Sequence, residues 1–117
     1  MDEHRARALV ARERRRIEAA LAELTGEQQD EDASHFDQTG ESADAGAEVQ
    51  REMVDRALVA DLQNELASVV RAETRIAEGT FGLSVESGAR IPVDRLEAEP
   101  LAERTVEEQS RFERSQR

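Results

Sequence analysis

Two stretches of helical apolar spacing flank one stretch that carries acids and no base, and this arrangement narrows the choice of fold more than any other feature. In residues 3–25, Val10, Ile17 and Leu24 fall seven apart and Leu21 lies four beyond Ile17. That spacing is a helical seam, and no Gly or Pro interrupts it before Thr25-Gly26. A second helix is expected to start near Ser42–Asp44 and to reach Ala77 or Glu78, where Gly79 stops it. Val59, Leu62, Leu66, Val69 and Ile76 form its stripe, at steps of three, four, three and seven. Between them, residues 27–44 hold seven acids (Glu27, Asp30, Glu31, Asp32, Asp37, Glu41 and Asp44) and no base. A narrow stripe cannot be buried by one helix alone, so the pattern predicts a long antiparallel hairpin with an acidic connecting loop.

Composition supports a thin, mainly helical protein. The chain has 117 residues, a formal net charge of −11, no Cys, Trp or Tyr, and three Phe. All 16 basic residues are Arg. An acid surplus of this size argues against a protein that coats nucleic acid, since phosphate contacts need a basic face. The missing Cys excludes a disulfide framework and a thiolate metal site. No apolar run approaches the ~20 residues of a membrane-spanning helix or resembles a signal peptide, so a cytoplasmic location is expected.

After Gly79 the pattern changes. The stretch GTFGLSVESGARIPVDRLEAEP contains three Gly, both Pro and short apolar runs at Phe81–Leu83 and Ile91–Val93. It reads as a small turn-rich knob with two short strands, and helix-like composition returns from Pro100 or Thr105. Thr105-Val106-Glu107-Glu108 matches a capping box, in which Thr105 caps a last helix and Glu108 reaches back to its amide. Eight apolar residues are available to the knob's core: Phe81, Leu83, Val85, Ile91, Val93, Leu96, Leu101 and Val106. The division expected is a hairpin over 1–78, with its tip loop at about 26–44, followed by a knob and C-terminal helix over 79–117.

Residues 76–109 closely resemble the C-terminal module of the DksA/TraR family of bacterial RNA polymerase-binding regulators. Gly79-Thr80-Phe81-Gly82 supplies the family's turn after the long helix. Gly88 ends its first knuckle, Ile91 follows, and Arg95-Leu96-Glu97-Ala98 with Pro100 reproduces the run R-L-E-A-x-P. The resemblance implies a zinc-finger-like knob on an antiparallel coiled coil. Yet the family's four cysteine positions fall on Ser84, Ser87, Thr105 and Glu108, so the resemblance is to a zinc-independent member that binds no metal and needs no cofactor. Counting back from Gly79 places the family's two tip acids on Glu41 and Asp44, with Gly46 in an Ala position.

The resemblance implies a non-enzymatic transcription regulator. Its partner would be RNA polymerase, its tip would enter the secondary channel, and the acids would modulate initiation near the active site. The alarmone ppGpp is an open co-ligand whose contacts do not transfer residue by residue. No sequence-specific DNA or membrane contact is expected. Leu96, Glu97 and Pro100 are expected to hold the knob against the hairpin base. Two other readings stand beside it. One is a degenerate relative acting as a coiled-coil interaction or dimerisation protein; the other is a cleavage-factor-like role, with Mg²⁺ recruited by the tip acids. The remaining residues suggest no catalysis. His35 beside Asp32 and Asp37 reads as solvated, and Arg14–Arg16 share their helix with Glu13, Glu18 and Glu23 as a polar face.

Overall fold

The computed structural model describes residues 1–26 and 45–117. Four helices follow in order: α1 (Glu3–Thr25), α2 (Ala45–Glu78), α3 (Val93–Ala98) and α4 (Val106–Ser115). The protein is mainly α, with α1 and α2 forming an antiparallel hairpin; α1 and the end of α2 at Glu78 fall where the apolar spacing predicts, and the expected start of α2 at Ser42–Asp44 lies outside the described residues. Asp2 opens α1 by accepting the Arg5 amide on its side chain at 2.7 Å. Gly79 closes α2 in a left-handed conformation, φ 80°. The Gly79 amide donates to the Ile76 carbonyl at 3.2 Å and the Thr80 amide to the Arg75 carbonyl at 2.9 Å, the paired closure that a glycine at this position permits.

The chain divides into two compact units. Unit 1 comprises Met1–Arg14 and Ser68–Arg117, and unit 2 comprises Arg15–Ala67. In unit 1 the core is Ala6, Leu9 and Val10 of α1, Val69, Ala72 and Ile76 of α2, and Ile91 and Leu96 of the knob, all buried. The small residues Ala6 and Ala72 are fully part of that core, although an apolar stripe read from large side chains passes over them. In unit 2, Ile17 is fully buried, with Leu21, Leu24, Val59, Leu62 and Leu66 half-buried. A bidentate pair of Arg14 with Glu73 in unit 1, at 2.9 and 2.8 Å, and a single hydrogen bond from Arg16 to Glu65 in unit 2, at 2.7 Å, run in opposite chain order along the two helices. Such exposed pairs contribute little stability, but they favour one register over its neighbours.

The knob differs from the expectation of two short strands. Among the described residues it has one isolated antiparallel bridge, Leu83 with Arg90, and the short helix α3. Pro92, extended at φ −55° and ψ 144°, is the N-cap of α3, and its carbonyl accepts the Leu96 amide at 3.1 Å. Burial is also narrower than the eight apolar candidates suggest. Ile91 and Leu96 are buried and Phe81, Leu83 and Leu101 half-buried, but Val85, Val93 and Val106 are exposed. Val93 and Val106 are the first residues of α3 and α4, where a side chain has no preceding helical turn to pack on.

Candidate functional site

The four positions at which the family resemblance places cysteines are drawn together by the knob. Gly82, at φ 90°, turns the chain after α2, and a Cβ there would sit 3.5 Å from the buried Leu96 side chain. The Ile91 amide donates back to the Gly82 carbonyl at 2.8 Å, and the Ser84 amide donates to the Ala89 carbonyl at 2.7 Å. The loop thus closed holds Ser84 and Ser87. On the other side, Val85 donates its amide to the Glu103 carbonyl at 2.9 Å, which ties the loop to the segment leading into α4.

Thr105 and Glu108 form the capping box at the start of α4. The Glu108 amide donates to the Thr105 hydroxyl at 3.2 Å, and the Thr105 amide donates to the Glu108 carboxylate at 2.9 Å. The carboxylate's second oxygen accepts the Ser87 hydroxyl at 2.5 Å. Ser84 is itself buried, and its hydroxyl accepts the Glu86 and Ser87 amides at 3.0 and 3.2 Å. Hydrogen bonds from Ser84, from Ser87 and from the Thr105 amide hold the Glu108 carboxyl down to about 2. A carboxylate held that far from neutrality is a poor proton shuttle near pH 7, so the cluster serves as a clasp between loop and helix.

The donor set does not fit zinc. Two serines, a threonine and a carboxylate already committed to several hydrogen bonds replace four thiolates, and neutral hydroxyls are weak zinc ligands. Among the described residues no group of three or more His, Cys, Asp or Glu could hold a metal ion.

Other residues of the R-L-E-A-x-P run face the hairpin base. Glu97 accepts two hydrogen bonds from the Arg5 guanidinium of α1, at 2.9 and 2.5 Å, and Arg5 holds its carboxyl below the usual range. Leu96 and Pro100 are buried, and Arg95 donates to the Arg104 carbonyl at 3.0 Å, bracing the segment before α4. Gly79, Phe81, Gly82, Gly88, Ile91 and Ala98 lie in the same unit. The proposed tip acids Glu41 and Asp44 lie outside the described residues, as does His35.

One cluster escaped the motif reading. Arg71 and Arg75, one helical turn apart on α2, both donate to Glu103, at 2.9 and 3.0 Å. Burial pushes the Glu103 carboxyl up, but the two guanidiniums outweigh it and leave it below its ordinary value. The i, i+4 spacing of Arg71 and Arg75 was the available signal, since it sets both side chains on one helix face. No helix among the described residues is long and apolar enough to cross a membrane.

Comparison with known proteins places these features. No protein-family model matches the chain. It is 37% identical over 100 residues to general stress protein 16O of Bacillus subtilis, covering 78% of the chain and 60% of that protein. It is 36% identical over 91 residues to the RNA polymerase-binding transcription factor DksA of Caulobacter vibrioides, covering 74% of the chain and 64% of that protein. The matches thus span less than two thirds of these relatives' own length. Among solved structures, transcription factor DksA2 from Pseudomonas aeruginosa superposes with a TM-score of 0.77 at 24% identity, covering 97% of the chain and 84% of that structure.

Proposed function

The chain is a homologue of the DksA transcription factors, and on that premise we propose that it binds RNA polymerase and regulates transcription. Its hairpin enters the polymerase secondary channel, and Glu41 and Asp44 act at the tip to modulate initiation without catalysing a reaction. The observation that carries the proposal is the 36% identity to an RNA polymerase-binding factor across 74% of the chain. The Ser84, Ser87, Thr105 and Glu108 clasp supports it. These side chains converge at the positions where the sequence resemblance puts zinc ligands, so the knob is closed by hydrogen bonds in place of a metal. In this reading the tip carboxylates meet basic side chains or metal-bound water of the polymerase.

The test is co-purification of the full chain with core polymerase, followed by crosslinking from a photoreactive residue at position 44. Binding at micromolar protein, with crosslinks to secondary-channel segments and loss of the transcriptional effect in Asp44→Ala, is the expected result. Absence of binding at that concentration refutes the proposal. A second reading, contact with another helix in place of polymerase, is favoured by one observation: Val49, Met53, Val54 and Leu58 of α2 are large, apolar and exposed. Self-association in sedimentation, without polymerase binding, would select it.

A further inference from the structure

A groove of about 670 Å³ in unit 1 lies between α2, the knob loop and α4, and neither the clasp nor the tip uses it. Its apolar wall is Val70, Val85 and Phe112, exposed by 49%, 49% and 36%. In a chain of net charge −11, its lining carries three arginines (Arg71, Arg75 and Arg104) against the single acid Glu103. Arg104 donates to Glu86 at 2.8 Å, and its guanidinium lies 3.8 Å from the centre of the Phe112 ring.

The other two arginines compete for one carboxylate. Glu103 Oε2 accepts both Arg71 Nε at 2.9 Å and Arg75 Nη1 at 3.0 Å, while Oε1 has only a long contact of 3.4 Å from Arg71 Nη2. Arg75 is the most buried residue of the lining, and its Nη2 has no acceptor among the described residues. A buried donor left unmatched is costly, and the shortage here is of one carboxylate. Arg71, by contrast, has a side chain 54% exposed, where it also donates to the Ser68 hydroxyl at 2.9 Å, and a new partner can reach it from solvent.

We propose that this groove receives an acidic amphipathic segment of a partner protein. A carboxylate of the segment takes over Arg71 in a bidentate pair. Glu103, released from Arg71, turns both oxygens on Arg75 and supplies the missing acceptor of Nη2. An apolar side chain of the same segment covers Val70, Val85 and Phe112. The inference uses none of the tip acids and stands apart from the polymerase reading.

The test titrates the full chain into a fluorescent amphipathic peptide of Glu and Leu, with Gln/Leu as its neutral counterpart. Because the protein is strongly acidic, long-range electrostatics oppose the acidic peptide, and its binding reports a local basic site. Expected results are binding of Glu/Leu, at least tenfold weaker binding of Gln/Leu, and about tenfold loss in Arg71→Gln. Val70→Ser, which adds no charge beside the arginine cluster, is expected to lose binding to a similar extent, while Arg12→Gln, outside the groove, leaves it unchanged. In NMR spectra the Arg75 guanidinium protons shift as Glu/Leu is added, reporting the handover. Equal binding of the neutral peptide, full binding by a Val70→Ser protein of native circular dichroism, or Arg75 signals that do not move would each overturn the proposal. Acetate alone reproducing the Arg75 shift would also overturn it, in favour of a simple anion site.

Discussion

Replacing Thr105 by Ala isolates the hydrogen-bonded closure of α4. The substitution removes the hydroxyl that accepts the Glu108 amide at 3.2 Å but keeps the backbone amide that donates to the Glu108 carboxylate at 2.9 Å. Half of the capping box is therefore lost. A side-chain cap of this kind contributes about 1 kcal/mol, with a range of roughly 0.5–2. In a cooperative unit of this size, about 1 kcal/mol lowers the melting temperature by roughly 4–8 °C. Thermal melting by circular dichroism reads the global effect, and native-state hydrogen exchange of the Glu108 amide reads the local one. The Thr105→Ala protein should melt several degrees lower and lose protection at Glu108, while Thr105→Ser, which retains the acceptor, should stay close to wild type. Two results refute the reasoning. If Ala leaves Glu108 protected, the hydroxyl is not the cap. If Ser is as destabilised as Ala, the methyl group, and not the hydrogen bond, holds the helix start.

Acid stability tests the same clasp from its charged side. With its folded pKa lowered to about 2, Glu108 contributes stability that is fully present above its unfolded value near ~4.3 and is lost as pH falls through that window. Glu108→Gln should therefore flatten the decline in melting temperature from about pH 4.3 to about 2, and an unchanged slope would remove the carboxylate from the account. Restoring cysteine at positions 84, 87, 105 and 108 together should create one tetrahedral thiolate site, detectable by the visible spectrum of bound Co²⁺. Stability would then depend on metal, because the Thr105 cap is gone. Absence of a thiolate spectrum would sink the correspondence of these four positions with the family's cysteines.

The elements legible in the sequence were those whose signal is local. The stripe through Val10, Ile17 and Leu24 and the stop at Gly79 set the long helices, because helix ends and faces depend on residues within a turn or two of each other. The Thr105–Glu108 box was equally visible, since both partners lie within one helical turn. What could not be read were contacts of long sequence separation. Nothing near Arg5 announces that it will meet Glu97, and nothing near Glu103 announces two arginines on α2. Ala6 and Ala72 were passed over for a related reason: a small residue enters a core when the opposing helix comes close, and spacing alone does not report that distance. The knob shows the two kinds of information meeting. Its turns follow from Gly82, Gly88 and Pro92, but its closure needs Ser87 to reach across to Glu108. The four residues that the family resemblance groups as cysteine positions form a clasp in a loop that Ile91 and Leu96 bury against the hairpin base. A buried apolar anchor thus comes before the polar clasp in the physical argument. In the proposed reading, such a knob keeps the anchor while the positions that match the family's cysteines exchange sulfur for hydrogen bonds.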